Sequence, residues 1–344
     1  MAEVLQINTF LERSGSLPVI DVRSPSEFIQ GHIPGAINIP LFDDQERKEV
    51  GTLYKQVNRE AAIFAGFEFI GKKLADLARE GVKKAGRQKT LLVHCWRGGM
   101  RSASMAWLFE TAGLSCALLE GGYKSYRRYV REQLAAPVSL RVVGGKTGSG
   151  KTLILARLQE LGEQVIDLEA LAHHKGSAFG ALGEPDQPTT EQFENDLSQV
   201  VSGLDPDRRV WIEDESRNIG KCVIPAELYD RMKEAETYFL DIPREERARY
   251  LVADYAAHDQ EALKACIQKI HKRLGGDRAR EATDAIDRED FYSSALITLQ
   301  YYDKAYMYAL RSNHARFRLI ESRTVDPESN ARLILHGESN ARQK

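Results

Sequence analysis

The sequence predicts an α/β protein of two domains, each built on its own parallel sheet, with a helical region towards the C-terminus. Short apolar runs alternate with stretches of helical spacing, which is the pattern of parallel strands joined by helices. Two of these runs lead into glycine-rich turns that precede helices, and 344 residues suffice for two hydrophobic cores. The spacing from about 243 to 312 is helical, which predicts the helical region.

Net charge, apolar runs and cysteine spacing limit the classes of protein to which this chain can belong. A formal net charge of -2 gives no overall field that would attract nucleic acid or membrane, so any polyanion site must be a local patch. We find neither an apolar run of about 20 residues nor a secretory leader, and we expect no membrane partner. The four cysteines are scattered without a CxxC pair, which is typical of a reducing compartment. We therefore expect a cytoplasmic protein.

The first half alternates strand and helix patterns. Ser24 is expected to cap a helix that starts at Pro25. Apolar residues recur at helical spacing through 45–84. Strands are predicted, in chain order, at 19–23, after a turn within 31–40, at 91–94 and at 116–119. Ligands of such a parallel sheet bind where its strands end, and Cys95 directly follows one of these ends.

The turn after the strand at 91–94 has the composition of an anion site that contains a nucleophile. Residues 95–102 are Cys-Trp-Arg-Gly-Gly-Met-Arg-Ser, between a buried strand and a helix. Unpaired amides and the positive end of the helix dipole suit an anion and favour thiolate over thiol. Arg97 and Arg101 add two guanidinium forks for an oxyanion. Cys95, Arg97 and Arg101 are the predicted catalytic residues.

This half resembles the rhodanese family over residues 5–133. The resemblance rests on Asp21-Val22-Arg23, on Glu27-Phe28, on 31–36, on the Cys95 turn and on Gly121-Gly122-Tyr123. It implies a rhodanese-like parallel-sheet domain whose loop cysteine takes sulfur or selenium as a persulfide or perselenide. An arginine six positions after the cysteine also fits cysteine phosphatases, which use the same anion cradle.

Several residues of this half have two interpretations. Asp21 and Arg23 form either an active-site pair or a brace for the loop, and we favour the brace. His32 is either a catalytic base or a packed turn residue. Trp96 either stacks on a substrate or covers the loop.

The junction between the halves is basic. Residues 122–157 contain eight basic side chains and one acid, Glu132, with tyrosines interleaved. Cations with aromatics suit a nucleic-acid backbone with exposed bases, and the alternative is a solvated helix face whose tyrosines pack inward. The predicted RNA-binding residues are Lys124, Arg127, Arg128 and Arg131. Pro137 ends the helix, so we divide the chain into domains 1–135 and 136–344.

The second domain begins with a strand and a phosphate-binding loop. Residues 145–152 match G-x-x-x-x-G-K-T between a strand at 140–144 and a helix. In this P-loop the glycines let amides wrap phosphate oxygens, Lys151 reaches the outer phosphate and Thr152 could hold Mg²⁺. The loop predicts a di- or triphosphate ligand without specifying which. The predicted diphosphate-binding residues are Gly145, Gly148, Gly150, Lys151, Thr152, Asp214, Glu215 and Arg217.

Asp214 and Glu215 belong to that set because the stretch 209–217 reads as a strand ending in acids, in the manner of a strand that places an acid near Mg²⁺. The alternative is that these acids cap the next helix. Arg217 would neutralise a leaving diphosphate. We predict no certain metal site.

The helical region supports weaker predictions. Arg244, Arg247 and Arg249 are similar to the lid arginines of nucleotide kinases, but we favour a solvated helix face for them. We also expect a break at Gly275-Gly276. Four tyrosines follow in one helix, and we favour core packing over an apolar groove for them: Tyr301, Tyr302, Tyr306 and Tyr308. The tail after Pro327 is expected to be partly frayed.

The whole chain resembles the tRNA 2-selenouridine synthase family. The resemblance rests on the Cys95 turn, the P-loop, 167–180 and 213–220. It implies a transferase that geranylates wobble 2-thiouridine of tRNA with geranyl diphosphate and then replaces the S-geranyl group by selenium from selenophosphate. It implies these two co-substrates and no tightly bound cofactor, and a monomer is the simplest expectation.

Our hypothesis assigns geranyl diphosphate to the P-loop and selenophosphate to the Cys95 cradle. Whether Cys95 forms a perselenide or only positions selenophosphate stays open. The alternatives are a rhodanese-type sulfurtransferase or a cysteine phosphatase fused to a P-loop small-molecule kinase, and a non-catalytic sensor of tRNA or nucleotides.

Overall fold

The computed structural model describes residues 2–313 and 317–342 and divides the chain into two compact units, Met1–Gln133 and Leu134–Lys344. Each unit contains a five-stranded sheet whose strands are parallel, so the predicted α/β class is confirmed. Among the described residues no helix is both long enough and apolar enough to cross a membrane.

The first unit has strand order β1-β5-β4-β2-β3. Its strands are β1 (Glu3–Leu5), β2 (Val19–Asp21), β3 (Ile37–Asn38), β4 (Thr90–His94) and β5 (Ser115–Leu119). Its helices are α1 (Ile7–Ser14), α2 (Pro25–Gln30), α3 (Asp44–Gln56), α4 (Arg59–Gly71), α5 (Leu74–Ala85), α6 (Met100–Thr111) and α7 (Gly122–Ala135). The predicted helical stretch 45–84 is therefore three helices, because Asn58 caps a new helix by accepting a bond from the amide of Ala61.

The second unit has strand order β12-β11-β6-β8-β7 and a separate antiparallel pair, β9 and β10. Its strands are β6 (Ser139–Gly145), β7 (Gln164–Ile166), β8 (Arg209–Glu213), β9 (Asn218–Ile219), β10 (Cys222–Val223), β11 (Glu236–Asp241) and β12 (Phe317–Glu321). Its first helices are α8 (Lys151–Glu160), α9 (Leu168–Ala172), α10 (Thr190–Ser202) and α11 (Ala226–Glu234). β6 is central, so the loop after it emerges in the middle of the sheet edge.

The helical region of this unit follows β11. It consists of α12 (Arg244–Ala256), α13 (Gln260–Leu274), α14 (Gly276–Asp287) and α15 (Phe291–Asn313). The break predicted at Gly275-Gly276 is confirmed, since α13 ends and α14 begins there. These helices enclose their own apolar core, which includes Leu263, Ile267 and Leu299.

The prediction of a frayed tail is wrong for the described residues. β12 adds an edge strand beside β11, and α16 (Pro327–Arg342) packs on α8 with Ala331 and Ile334 fully buried. Asp326 accepts a bond from the amide of Ser329, 2.7 Å away, and Pro327 occupies the first helical position. The proline therefore starts a helix instead of ending one.

Candidate active sites

Cys95 lies at the end of β4, where the sequence placed the nucleophile. Its Sγ is 3.2 Å from the Ser102 hydroxyl, which the first turn of α6 supplies. Burial by itself raises the pKa of this thiol, but hydrogen bonds from Ser102 and from the Arg97 amide, with the charge of Arg101, lower the pKa below its usual value. In contrast, burial raises the pKa of Cys116 to about 12 and that of Cys222 to about 11. Cys95 is therefore the thiol suited to nucleophilic chemistry.

The loop that contains Cys95 is held from behind by the start of α7. The Tyr123 amide donates to the Cys95 carbonyl at 2.8 Å, and the Lys124 amide donates to the Trp96 carbonyl at 2.9 Å. A side chain at Gly122 would collide with the carbonyl of Cys95. This close approach of two backbones is the physical reason for the glycine pair before Tyr123.

The two arginines of the loop differ in their surroundings. Arg97 is exposed. The Arg101 guanidinium is held by Glu27, with Nη1 2.6 Å from Oε2. Arg101 is thus paired with Glu27 and also acts on Cys95 through its charge, while contact of the two guanidinium groups with an oxyanion stays a prediction.

Asp21 and Arg23 form the brace that we favoured. Both are fully buried; Arg23 Nε donates to Asp21 at 3.0 Å, and Nη2 donates to the Gly31 carbonyl at 2.7 Å. The Arg23 guanidinium also lies 3.7 Å from the centre of the Tyr123 ring. This cluster supports the start of α7 and, through it, the cysteine loop.

The structure also shows the surroundings of His32 and Trp96, the other two side chains that had two interpretations. His32 stacks on Phe28 at 3.9 Å between ring centres, and its Nδ1 lies 3.0 Å from the Phe28 carbonyl, as expected of a packed turn residue. Trp96 is partly exposed and packs beside Tyr123 at 5.7 Å, so it covers the loop.

The basic helix α7 presents its cations and its tyrosines on different sides. Tyr123 and Tyr126 are buried, so these rings pack inward and the interpretation of them as stacking platforms is wrong. The cations remain outside: Lys124, Arg128 and Arg131 are exposed and Arg127 is half-buried. The patch is electrostatic and suits phosphates better than bases.

In the second unit the P-loop follows β6. Gly148 and Gly150 have φ angles of 80° and 72°, the left-handed region that glycine tolerates. Lys151 Nζ lies 3.8 Å from Glu215 Oε1. Burial lowers the pKa of Lys151, but Glu215 and the acids around it outweigh this effect and raise the pKa above its usual value. Burial, opposed by Lys151, raises the pKa of Glu215 to about 8. The lysine therefore stays charged beside a carboxyl group that is readily protonated.

Two residues of this site were missed by sequence reasoning. The Thr152 hydroxyl donates to Glu169 Oε2 at 2.6 Å, and Glu169 is almost fully buried. The Tyr306 hydroxyl accepts a bond from the Gly145 amide at 3.0 Å and donates to Asp214 Oδ2. The sequence analysis included Glu169 in the stretch 167–180 and Tyr306 among the tyrosines of the helical region, but assigned neither to the diphosphate site.

A cavity of about 670 Å³ opens beside the P-loop. Its lining includes residues of the P-loop and the acids after β8: Gly148, Gly150, Lys151, Thr152, Asp214 and Glu215. It also includes six aromatic side chains, Phe179, Tyr229, Tyr250, Tyr255, Tyr301 and Tyr302, and the charged side chains of Lys175, Glu184, Lys233 and Arg273. Tyr306 lines it too; Tyr301 and Tyr302 also pack against the helical core, as we favoured, whereas Tyr308 is 78% exposed and departs from that prediction. The cavity therefore combines polar groups of the P-loop with aromatic side chains.

Other predicted residues lie elsewhere. Arg217 is exposed just before β9 and is not among the described residues that line the cavity, so its assignment to the diphosphate stays a prediction. Gly145 lies behind the cavity as a partner of Tyr306. Asp214 caps no helix, because the next element is β9. Within the described ranges no group of three or more His, Cys, Asp or Glu could hold a metal ion.

Of the three arginines that we expected on a solvated helix face, Arg247 differs most from that prediction. It is fully buried; its guanidinium donates to the Thr147 carbonyl of the P-loop at 2.9 Å and to both oxygens of Asp303. Arg244 also pairs with Asp303, while Arg249 is exposed and pairs with Glu246. Arg247 thus ties the loop to the helical region.

Comparisons with known proteins give matches for both units. The family model described as the tRNA 2-selenouridine synthase AAA domain matches residues 138–325, and the rhodanese-like domain model matches residues 6–129. The chain is 33% identical over 340 residues to a tRNA 2-selenouridine synthase of Marinobacter nauticus, covering 88% of this chain and 90% of that one. It is 35% identical over 336 residues to the protein of that name from Shewanella denitrificans, covering 87% and 90%. It is 35% identical over 333 residues to that from Bordetella petrii, covering 85% and 86%.

Proposed function

The chain belongs to the tRNA 2-selenouridine synthase family, and from that membership we propose that it replaces the sulfur of wobble 2-thiouridine in tRNA by selenium in two transfers. The first moves a geranyl group from geranyl diphosphate to the sulfur. The second exchanges the S-geranyl group for selenium from selenophosphate. Thiouridine sulfur is a poor leaving group, and alkylation turns it into a good one. A tRNA substrate would keep the enzyme in the cytoplasm.

The observation that supports the first transfer is the cavity whose lining combines P-loop residues with several aromatic side chains. A geranyl diphosphate offers a phosphate group to the P-loop amides and Lys151 and an apolar chain to the tyrosines. In the reaction the sulfur forms a bond to the first geranyl carbon, and the carbon–oxygen bond breaks with its electron pair on the diphosphate. The uracil ring loses its N3 proton to solvent. Lys151 would offset the charge that develops on the leaving group.

If Mg²⁺ accompanies the diphosphate, the residues that would hold it are Thr152 and Glu169. Hydroxyl and carboxylate oxygens are ligands that Mg²⁺ accepts, with the remaining positions filled by phosphate and water. The ion would neutralise part of the negative charge of the phosphates.

For the second transfer we assign selenophosphate to the Cys95 loop, where the amides and Arg97 suit a small oxyanion. Selenium attacks the carbon that bears the S-geranyl group, geranyl thiolate leaves, and water then cleaves the phosphorus–selenium bond. Cys95 either carries the selenium or positions its donor. Mass spectrometry of enzyme quenched with selenophosphate separates the two roles, because only the first leaves selenium on Cys95.

We assign tRNA phosphates to the exposed cations of α7. Lys124, Arg128 and Arg131 provide a local positive patch on a protein without net positive charge. The cysteine phosphatase alternative is disfavoured because Glu27 already occupies the Arg101 guanidinium.

The test separates the two transfers. Lys151→Ala should abolish geranylation of 2-thiouridine RNA and leave selenation of pre-geranylated RNA intact. Cys95→Ala should do the reverse. Nucleoside mass analysis scores both, and geranylation by Lys151→Ala at the wild-type rate would remove the P-loop from the first step.

A further inference from the structure

Tyr306 connects two parts of the candidate diphosphate site that come from different elements of the fold. It comes from α15, whereas Gly145 ends β6 and Asp214 follows β8. Its hydroxyl accepts from the Gly145 amide at 3.0 Å and donates to Asp214 Oδ2. Burial and the Asp214 carboxylate raise the pKa of Tyr306 well above its usual value, so the hydroxyl keeps its proton and stays a donor.

Lys151 is surrounded by carboxyl groups. Glu215 is 3.8 Å from its Nζ, and Glu169 and Asp214 also act on the charge of the ammonium. A carboxylate that pairs with the Lys151 ammonium competes with a diphosphate oxygen for the same positive charge. Glu215 already lies beside the ammonium, and Asp214 directly precedes Glu215 in the chain, so Asp214 is a second carboxylate that could close on Lys151 unless another group holds it.

We propose that Tyr306 is a positioning residue of the diphosphate site: its hydroxyl holds the Asp214 carboxylate away from Lys151, so that the ammonium remains available to a diphosphate. The inference rests on the proposed function for its ligand. It assigns Tyr306 no contact with the reacting atoms.

The helix that supplies Tyr306 offers a matched control. Tyr302 lies one turn earlier on α15, also lines the cavity, and its hydroxyl accepts a bond from the Ala178 amide at 3.1 Å. Tyr302→Phe therefore removes a tyrosine hydroxyl and one hydrogen bond from the same cavity without releasing Asp214.

The first measurement is the affinity of the full chain for inorganic diphosphate, determined by calorimetry in the presence of a metal chelator. Tyr306→Phe should weaken binding about tenfold, because a released carboxylate competes for Lys151, and Tyr302→Phe should change it less than about twofold. With geranyl diphosphate as substrate, Tyr306→Phe should raise KM and leave kcat unchanged. Equal weakening by both variants, or wild-type binding by Tyr306→Phe, overturns the proposal.

The second measurement is a double-mutant cycle with Asp214→Asn, which removes the competing charge. In that background Tyr306→Phe should alter diphosphate binding less than about twofold. A loss of the same size in both backgrounds would mean that the hydroxyl acts through Gly145 and would refute the role assigned here. If Tyr306→Phe does not fold, Asp214→Glu tests the same idea with Tyr306 present, since its longer carboxylate reaches further towards Lys151 and should also weaken binding.

These outcomes are distinct from failure of the proposed function. Geranylation that survives Lys151→Ala would reject the assignment of the first transfer to the P-loop. The double-mutant cycle would still show whether diphosphate affinity depends on Tyr306 and Asp214.

Discussion

The Thr152 hydroxyl and the Glu169 carboxylate lie 2.6 Å apart, joining the first turn of α8 to α9. The hydroxyl that a P-loop offers to a metal ion is thus already directed at a buried carboxylate. A dication can be shared by these two oxygens, while a diphosphate alone would meet an added negative charge.

Glu169→Gln should therefore lower geranylation at least about tenfold at limiting Mg²⁺, because the amide keeps the hydrogen bond but loses the charge that attracts the cation. Geranylation rate against Mg²⁺ concentration is the measurement. Glu184→Gln is the matched control, since Glu184 lines the same cavity but faces Lys175, 3.7 Å away. Identical Mg²⁺ curves for the two variants would rule out this role for Glu169.

Ser102→Ala should raise the pKa of Cys95, because the hydroxyl that stabilises the thiolate is lost. The fraction of thiolate near neutral pH then falls, and alkylation by iodoacetamide should slow by about three- to tenfold, with its pH profile shifted upwards. Ser104→Ala, at an exposed position of the same helix, should leave the profile in place. A downward shift in Ser102→Ala would contradict the assigned hydrogen bond.

Charge reversal of Arg128 and Arg131 should weaken tRNA binding and flatten the slope of log affinity against log salt by roughly two, one for each lost phosphate contact. Filter binding at several salt concentrations measures both quantities. Lys83→Glu with Lys84→Glu on α5 makes the same change of charge at exposed positions of the same unit. If this control pair flattens the slope equally, the α7 patch has no special part in binding.

Arg247→Ala should destabilise the second unit by roughly 3–5 kcal/mol, because it leaves the Asp303 carboxylate largely buried without its main partner. Urea unfolding gives the change in the free energy of unfolding. The exposed Arg249→Ala should change it by less than about 0.5 kcal/mol. A small loss in Arg247→Ala would show that Arg244 alone can satisfy Asp303.

Errors of the sequence-based predictions fall at contacts between distant segments. Arg247 was expected in solvent because its neighbours Arg244 and Arg249 are charged, yet Asp303 lies 56 positions further along the chain and draws it into the core. The tyrosines of α7 were open to two interpretations because alternate burial depends on which face meets the sheet.

The two strand–turn–helix segments that contain Cys95 and Lys151 could be predicted from sequence alone, since each lies within about ten consecutive residues and its glycines have a local conformational reason to be there. Tertiary structure decided what surrounds them. Glu169 reaches Thr152 across 17 positions, Glu27 reaches Arg101 across 74, and Tyr306 reaches Gly145 across 161. Local pattern contains no information about such partners, because they meet only when the sheet and its helices have packed.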